Sequence, residues 1–254
     1  MRLGLAVAIV VAAVGAAPAA SSTRHPFPHM PAECKRADFR SGGTTVRAAL
    51  CWAAKTDPAP AVVVLHGCGG FDTLDHRIAV DLPKVGIATL YVDYFDPTPP
   101  PGRFGFCNAR GGVENAFSVW QQEVLDATAS LRRHAGIDPR RIGLVGWSLG
   151  GGLAVGTAAS GRGSFRALVG FSTGFFGGGG GAGDLQHLPP TLLLSGGDKD
   201  AIPLSATREL YDLIRSSGVP ASLYVYRNGS HRWPGLQGTA GIDATERFLH
   251  RVLA

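Results

Sequence analysis

The sequence predicts an α/β fold in which helices cover both faces of a mostly parallel sheet. Apolar runs of strand length alternate with longer amphipathic segments, as expected for parallel strands joined by crossover helices. Runs such as AVVVLH and TLLLSG are apolar at successive positions, which is typical of strands buried on both faces. With 254 residues, 45% of them hydrophobic, the chain is long enough to form a single domain around a sizeable core.

The periodicity predicts seven strands, five helices and two long connections. The strands cover residues 46–52, 61–66, 87–92, 141–146, 167–171, 191–195 and 221–226. The helices cover residues 75–85, 114–134, 149–160, 204–217 and 239–252. The connections, 95–112 and 172–189, have no period of their own, and we expect them to form the rim of a site or mobile surface.

The first 19 residues resemble an export signal. A basic residue, Arg2, precedes an apolar stretch over 3–14, and Ala17 and Ala19 occupy the A-x-A cleavage position. The apolar stretch is too short to be a good membrane span. We therefore expect an exported bacterial protein, periplasmic or secreted, with no stable membrane anchor after signal removal. An extended segment over 20–43 and one folded domain over 44–254 would follow.

The charge pattern and the cysteine and histidine spacing bear on the partners and cofactors of the protein. The formal net charge is +5, without a block of lysines and with the arginines scattered along the chain, so nucleic acid is not indicated. No cysteine–histidine cluster has the spacing of zinc ligands, and we expect neither a metal nor an organic cofactor. A monomer is the default expectation.

Four cysteines lie beyond the predicted signal, where oxidation is allowed. Three pairings are formally open to them. We favour Cys34 with Cys51, which would close a short loop around the turn RSGGTT, and Cys68 with Cys107. Free, buried thiols are the alternative.

The pattern G-x-S-x-G occurs twice, in VGWSLGGG at Ser148 and in VGFSTGFF at Ser172. It is typical of a nucleophilic serine on a tight turn between a strand and a helix, where helix N–H groups face a developing oxyanion. Ser148 is followed by a segment that can form a helix. Ser172 runs into consecutive glycines, which disfavour one. We therefore predict Ser148 as the nucleophile and interpret the second match as a chance repeat.

A nucleophilic serine needs a base and an orienting acid. In this architecture both follow the serine, in loops at the carboxyl ends of later strands. His231 follows ASLYVYRNGS and is the predicted base. Asp198 and Asp200 both follow TLLLSGG, and we prefer Asp200 because Asp198 is closer to the strand, where it would shape the turn.

The predicted oxyanion donors are two backbone amides. One is the N–H of Leu149, directly after Ser148, and the other is the N–H of Cys68 in the glycine-rich loop HGCGG. Aromatic and basic side chains in nearby loops suggest an apolar pocket with room for an anionic group. The candidate substrate-binding residues are Phe95, Arg103, Phe175, Phe176, Arg232 and Trp233.

Five motifs together resemble the α/β-hydrolases and, among them, the dienelactone hydrolase family. In order, between residues 61 and 233, they are VVVLHGCGGF, GIATLYVDYFDP, PRRIGLVGWSLGGG, LLLSGGDKDAIP and GSHRW. The resemblance implies an α/β-hydrolase fold, a triad of Ser148, Asp200 and His231, and oxyanion donors at Leu149 and Cys68. The chain differs from founding members of the family, which carry a cysteine as nucleophile.

The expected function is that of an exported serine hydrolase. It would cleave carboxylic esters or lactones of small to medium, partly apolar substrates through an acyl-enzyme intermediate. A catalytically silent binding protein on the same fold is one alternative, since a fold does not determine a function. A peptidase or an acyltransferase on the same fold is the other.

Overall fold

The computed structural model describes residues 34–53, 57–95, 112–174 and 182–254, except for the side chains of residues 112–115 and 182–184. These ranges contain ten strands, five α-helices and one short 3-10 helix over Ala182–His187. The strands are β1 Cys34–Arg36, β2 Phe39–Ser41, β3 Thr44–Val46, β4 Ala48–Cys51, β5 Ala59–Leu65, β6 Ala88–Val92, β7 Ile137–Trp147, β8 Ala167–Phe171, β9 Thr191–Ser195 and β10 Ala221–Val225. The α-helices are α1 Thr73–Lys84, α2 Gly112–Arg132, α3 Leu149–Ala159, α4 Leu204–Ser216 and α5 Gly235–Leu253.

Eight strands form the main sheet, in the order β1-β4-β6-β5-β7-β8-β9-β10. The six strands from β6 to β10 in that order pair in parallel, while β1 and β4 add antiparallel strands at one edge. The strands β2 and β3 form a separate two-stranded sheet. The predicted mostly parallel sheet is thereby confirmed.

The core has one apolar layer on each face of the sheet. Successive residues of a strand point to opposite faces, so Val63 of β5 packs in one layer and Val62 and Val64 pack in the other. Helices α2, α3 and α4 cover the first layer, and α1 and α5 cover the second. Burial on both faces explains why the central strands are apolar at every position.

Element boundaries differ from the prediction where strands are short or polar. β7 starts at Ile137, several residues before the predicted strand, because a polar stretch continues the strand beside β5. The predicted strand over 46–52 is divided between β3 and β4. The strands β1 and β2 lie within the segment predicted as extended, and β1 joins the main sheet. Strands of three residues are too short to show a period.

The favoured disulfide between Cys34 and Cys51 is present, joining directly opposed residues of β1 and β4. Cys68 is also disulfide-bonded, and its expected partner, Cys107, lies outside the described residues. The predicted signal, residues 1–19, lies outside them as well. In the part of the chain that the structure describes, no helix is both long and apolar enough to cross a membrane.

Candidate active site

Ser148 lies at the junction between β7 and α3. Its backbone has φ 55° and ψ −117°, a combination that non-glycine residues rarely adopt and that is often found at functional sites. Its side chain makes no capping hydrogen bond to the helix that follows. The turn therefore leaves the hydroxyl available for contacts outside α3.

The two glycines of this motif are required by close backbone contacts. A Cβ atom at Gly146 would lie 2.2 Å from the carbonyl oxygen of Gly150. A Cβ atom at Gly150 would lie 2.3 Å from the carbonyl oxygen of Leu65, at the end of β5. Real Cβ atoms essentially never approach other atoms this closely. The motif at Ser148 thus corresponds to a turn that only glycine at both positions allows.

A line of hydrogen bonds joins Ser148 to His231 and Asp200. The Ser148 Oγ lies 3.1 Å from His231 Nε2, and His231 Nδ1 lies 2.7 Å from Asp200 Oδ1. Between a carboxylate and a hydroxyl, the imidazole is best satisfied with its proton on Nδ1, which donates to Asp200 while Nε2 accepts from Ser148. The other candidate acid, Asp198, is exposed.

The three side chains converge because each follows a parallel strand of the same sheet. Ser148 follows β7, Asp200 follows β9 and His231 follows β10, so all three lie at the carboxyl edge of the sheet. The Asp200 side chain is fully buried, whereas the His231 side chain is 21% exposed. The arrangement therefore places a buried carboxylate beneath an imidazole that solvent and small molecules can reach.

Asp200 accepts four hydrogen bonds from residues that the structure describes. The backbone N–H of Ile202 and the imidazole of His231 donate to Oδ1, and the backbone N–H of Gly196 and the hydroxyl of Ser172 donate to Oδ2. Burial by itself raises the pKa of the Asp200 carboxyl, but these hydrogen bonds outweigh burial and hold the pKa below its usual range. Asp200 is therefore ionised at neutral pH.

The second G-x-S-x-G serine has a structural partner at the site, which corrects its interpretation as a chance repeat. Ser172 follows β8 with φ 45°, and its hydroxyl donates to Asp200 Oδ2. The indole N–H of Trp233 donates in turn to Ser172 Oγ, at 2.7 Å. The second match lies where β8 also ends in a tight turn at this edge of the sheet.

Trp233 is buried, unlike the rim position that the sequence predicts for it. Only 2% of the residue is exposed, and its ring packs edge-on against Phe171 at 5.2 Å between centroids. The indole turns inward because its N–H finds an acceptor in Ser172, as buried tryptophans generally require.

Two further residues hold the loop that carries His231, and sequence reasoning missed both. The Gln237 amide accepts from the N–H of Ser230 at 2.9 Å and donates to the Ser230 carbonyl at 2.8 Å. The Trp147 indole donates to the carbonyl of His231 at 2.9 Å. The contacts span 7 and 84 residues of sequence. No local pattern signals them, although Trp147 stands beside the motif serine.

The loop that carries Cys68 packs against the turn that carries Ser148. A Cβ atom at Gly67 would lie 2.7 Å from the Trp147 ring, so the loop closely contacts the residue before the serine. The first residue of α3 is Leu149, whose N–H has no acceptor within the helix. The two amides thus belong to adjoining segments, and their role as oxyanion donors stays a prediction.

The remaining candidate substrate residues have different surroundings. Phe95 is buried and packs edge-on against His66, at 4.5 Å between ring centroids, so its described contacts are those of a core residue. The Arg232 side chain is 75% exposed and pairs with Asp72 at 2.7 Å. Arg103, Phe175 and Phe176 lie outside the described residues.

The sheet and the site together define the class of protein. A serine on a strained turn between a strand and a helix, with an acid and then a histidine after later strands of the same sheet, is characteristic of the α/β-hydrolases. Within this class, the family model described as the dienelactone hydrolase family matches residues 46–246. The chain belongs to that family.

Known proteins with similar sequences and folds agree with this assignment. A probable 2-oxo-3-(5-oxofuran-2-ylidene)propanoate lactonase of Bradyrhizobium is 28% identical over 135 residues, a stretch covering 53% of this chain and only 54% of the lactonase. A dienelactone hydrolase-like promiscuous phosphotriesterase from metagenomic libraries has a TM-score of 0.75 at 18% identity, covering 86% of this chain and 98% of that one. The dienelactone hydrolase of Anabaena variabilis has a TM-score of 0.70 at 19% identity, covering 87% and 100%. The structural matches show a shared fold, and the family supports an ester hydrolase.

Proposed function

We propose that this protein is a serine hydrolase that cleaves carboxylic esters or lactones through an acyl-enzyme intermediate. The observation that carries the proposal is the hydrogen-bonded line from Ser148 through His231 to Asp200. A hydroxyl donating to an imidazole, which donates in turn to a buried carboxylate, has the geometry of an activated nucleophile. Membership of the dienelactone hydrolase family supports the same reaction class.

In the first half of the reaction, His231 Nε2 takes the proton of Ser148 as Oγ attacks the substrate carbonyl carbon. The N–H groups of Leu149 and Cys68 stabilise the negative charge that develops on the carbonyl oxygen. Collapse of the tetrahedral intermediate breaks the ester C–O bond, and His231 returns its proton to the departing alkoxide. The products of this half are an alcohol and an acyl group on Ser148. With a lactone, the alcohol and the acyl group belong to the same molecule, which stays bound to Ser148.

In the second half, water attacks the acyl carbon while His231 takes one of its protons. Collapse of the second tetrahedral intermediate releases the carboxylic acid, and His231 gives its proton to the departing Ser148 oxygen, which restores the hydroxyl. Throughout, ionised Asp200 compensates the positive charge that His231 carries transiently. Every group that this mechanism needs belongs to the chain itself, so it calls for no cofactor.

Small to medium esters and lactones, partly apolar, are the proposed substrates. Lactones are included because one relative is described as a probable lactonase. We also propose that the protein is exported, with residues 1–19 as its signal. The disulfide between Cys34 and Cys51 and the disulfide-bonded state of Cys68 support an oxidising compartment.

The proposal is tested by labelling the active serine. The chain from residue 20 onward is produced with disulfides allowed and treated with a fluorophosphonate probe, and the labelled residue is identified by mass spectrometry. We expect label on Ser148 in the wild type and none in Ser148→Ala. Ser205→Ala, which changes an exposed serine on α4, is the matched control and should label like the wild type.

The alternatives predict different results. A folded wild-type protein that takes no label would favour a silent binding protein of the same fold. Protein that labels is then assayed, in its unlabelled form, against matched ester, lactone and amide substrates. Faster turnover of the amide would favour a peptidase, and transfer of the acyl group to an added alcohol in preference to water would favour an acyltransferase.

A further inference from the structure

Two buried side chains, Ser172 and Trp233, lie behind the site, on the side of Asp200 away from His231. The Asp200 side chain and Ser172 are fully buried, and Trp233 is 2% exposed. The mechanism proposed above uses Asp200 but assigns nothing to Ser172 or Trp233. Because both are buried, neither side chain can touch a substrate, so any part they play must act through Asp200.

The direction of the hydrogen bonds between these residues is determined by their chemistry. An indole N–H can only donate, so Ser172 Oγ accepts from Trp233. A hydroxyl has one proton, and an ionised carboxylate can only accept. The proton of Ser172 is therefore directed at Asp200 Oδ2, while Oδ1 faces the imidazole.

We propose that Ser172, oriented by the Trp233 indole, is a positioning residue that holds the Asp200 carboxylate in the orientation that His231 needs and takes up part of its negative charge. The inference rests on the proposed function, in which His231 is the base. Without the hydroxyl, Oδ2 keeps only the backbone N–H of Gly196 among its described partners. The carboxylate then loses one of the three contacts, besides the one to His231, that hold its orientation.

Loss of the hydroxyl has two expected kinetic consequences. With one donor fewer, more negative charge of Asp200 is left to face His231, which favours the protonated imidazole and moves the acid limb of kcat/KM to higher pH by about 0.5 unit. Looser orientation lowers kcat on the order of tenfold. KM should be unchanged, because Ser172 is buried away from the substrate.

The experiment measures kcat and KM from pH 5 to 9 with 4-nitrophenyl acetate as the probe ester. Ser172→Ala removes the hydroxyl. Ser172→Gly also removes the hydroxyl and, in addition, relieves the strain of the positive φ. Equal kinetic effects of the two variants would therefore be due to the hydroxyl and not to backbone strain. Trp233→Phe keeps an aromatic ring but removes the indole N–H. The charged neighbours in these loops, Asp198, Lys199 and the Arg232–Asp72 pair, are unchanged in every variant.

The inference predicts a graded and non-additive pattern. Both Ser172 variants should show the lowered kcat and the shifted limb, and Trp233→Phe should show a smaller shift in the same direction. Adding Trp233→Phe to Ser172→Ala should cause no further loss, because the indole acts only through the hydroxyl.

Two results would overturn it, and they are distinguishable. If the wild type labels on Ser148 and hydrolyses the ester, but the acid limb of both Ser172 variants stays in place or moves to lower pH, Ser172 has no positioning role and the proposed function stands. If the folded wild type neither labels nor hydrolyses the ester, the proposed function fails and this inference fails with it.

Discussion

Asp75 shows how a single buried residue makes stability depend on pH. It lies in the first turn of α1, where it accepts a hydrogen bond from the N–H of the N-cap residue, Asp72, while Asp72 caps the helix in return. Asp75 is 1% exposed, and its Oδ1 has no hydrogen-bond partner among the described atoms. Burial therefore raises the pKa of the Asp75 carboxyl well above its ordinary value.

The substitution Asp75→Asn should become more stabilising, relative to the wild type, as pH rises. Above the ordinary pKa of an aspartate, the unfolded chain has lost a proton that folded Asp75 still holds, so wild-type stability falls with rising pH until the raised pKa is passed. Asparagine keeps an oxygen acceptor for the N–H of Asp72 and cannot ionise. Urea unfolding should show that the free energy of unfolding of the variant, relative to that of the wild type, is higher at pH 8 than at pH 5. A constant difference at both pH values would contradict the raised pKa.

At the scale of elements, α5 supports the loop that carries His231. Its residue Gln237 is 5% exposed and binds both the N–H and the carbonyl of Ser230, the residue before the histidine. Gly229 leaves the space for this amide, since a Cβ atom there would lie 2.6 Å from Gln237 Nε2. A helix that follows His231 in sequence thus holds the loop that carries it.

Gln237→Ala should therefore lower both stability and activity. The change leaves the part-buried N–H of Ser230 without its Gln237 acceptor, while the Ser230 carbonyl keeps the N–H of Trp233 as a donor. We expect a loss of about 1 kcal/mol in the free energy of unfolding, measured with urea. Esterase activity should fall with it at temperatures where the variant is still folded, because His231 is less well held. Gln237→Glu keeps the acceptor but loses the donor and should be intermediate. Unchanged kcat in folded Gln237→Ala would show that the hydrogen bonds between Gln237 and Ser230 do not position His231.

At the scale of the whole molecule, the disulfide and the site lie in different parts of the sheet. Cys34 and Cys51 join β1 and β4 at one edge, whereas the site lies at the carboxyl ends of β7, β9 and β10. A cross-link between residues 17 apart stabilises the protein mainly by restricting the unfolded chain. It should therefore affect stability without affecting the chemistry.

The double variant Cys34→Ala, Cys51→Ala removes this disulfide without leaving an unpaired thiol. We expect the free energy of unfolding to fall by about 3 kcal/mol, which is the chain-entropy value for a loop of this length. Hydrolysis of a probe ester at 25 °C should be unchanged in the folded variant. A large loss of kcat without unfolding would mean that the sheet edge and the site are coupled.

Much of this protein follows from the sequence alone. Strands buried on both faces must be apolar at successive positions, so their apolar runs are enough to indicate a parallel sheet. Glycines on either side of Ser148 are needed by a local turn, and a local requirement is visible in sequence. The serine, the acid and the histidine can be predicted in this order because the parallel strands that precede them all end at the same edge of the sheet.

The tertiary structure decided what depends on distant contacts. It places Asp200 rather than Asp198 against His231, and it makes Ser172 a partner of Asp200 instead of a chance repeat. It turns Trp233 inward, 61 residues from the serine that it contacts. These contacts join segments far apart in the chain, and their geometry is set by how strand ends and α5 pack together. Periodicity and motif spacing describe neighbours in sequence, so they do not predict contacts between distant residues.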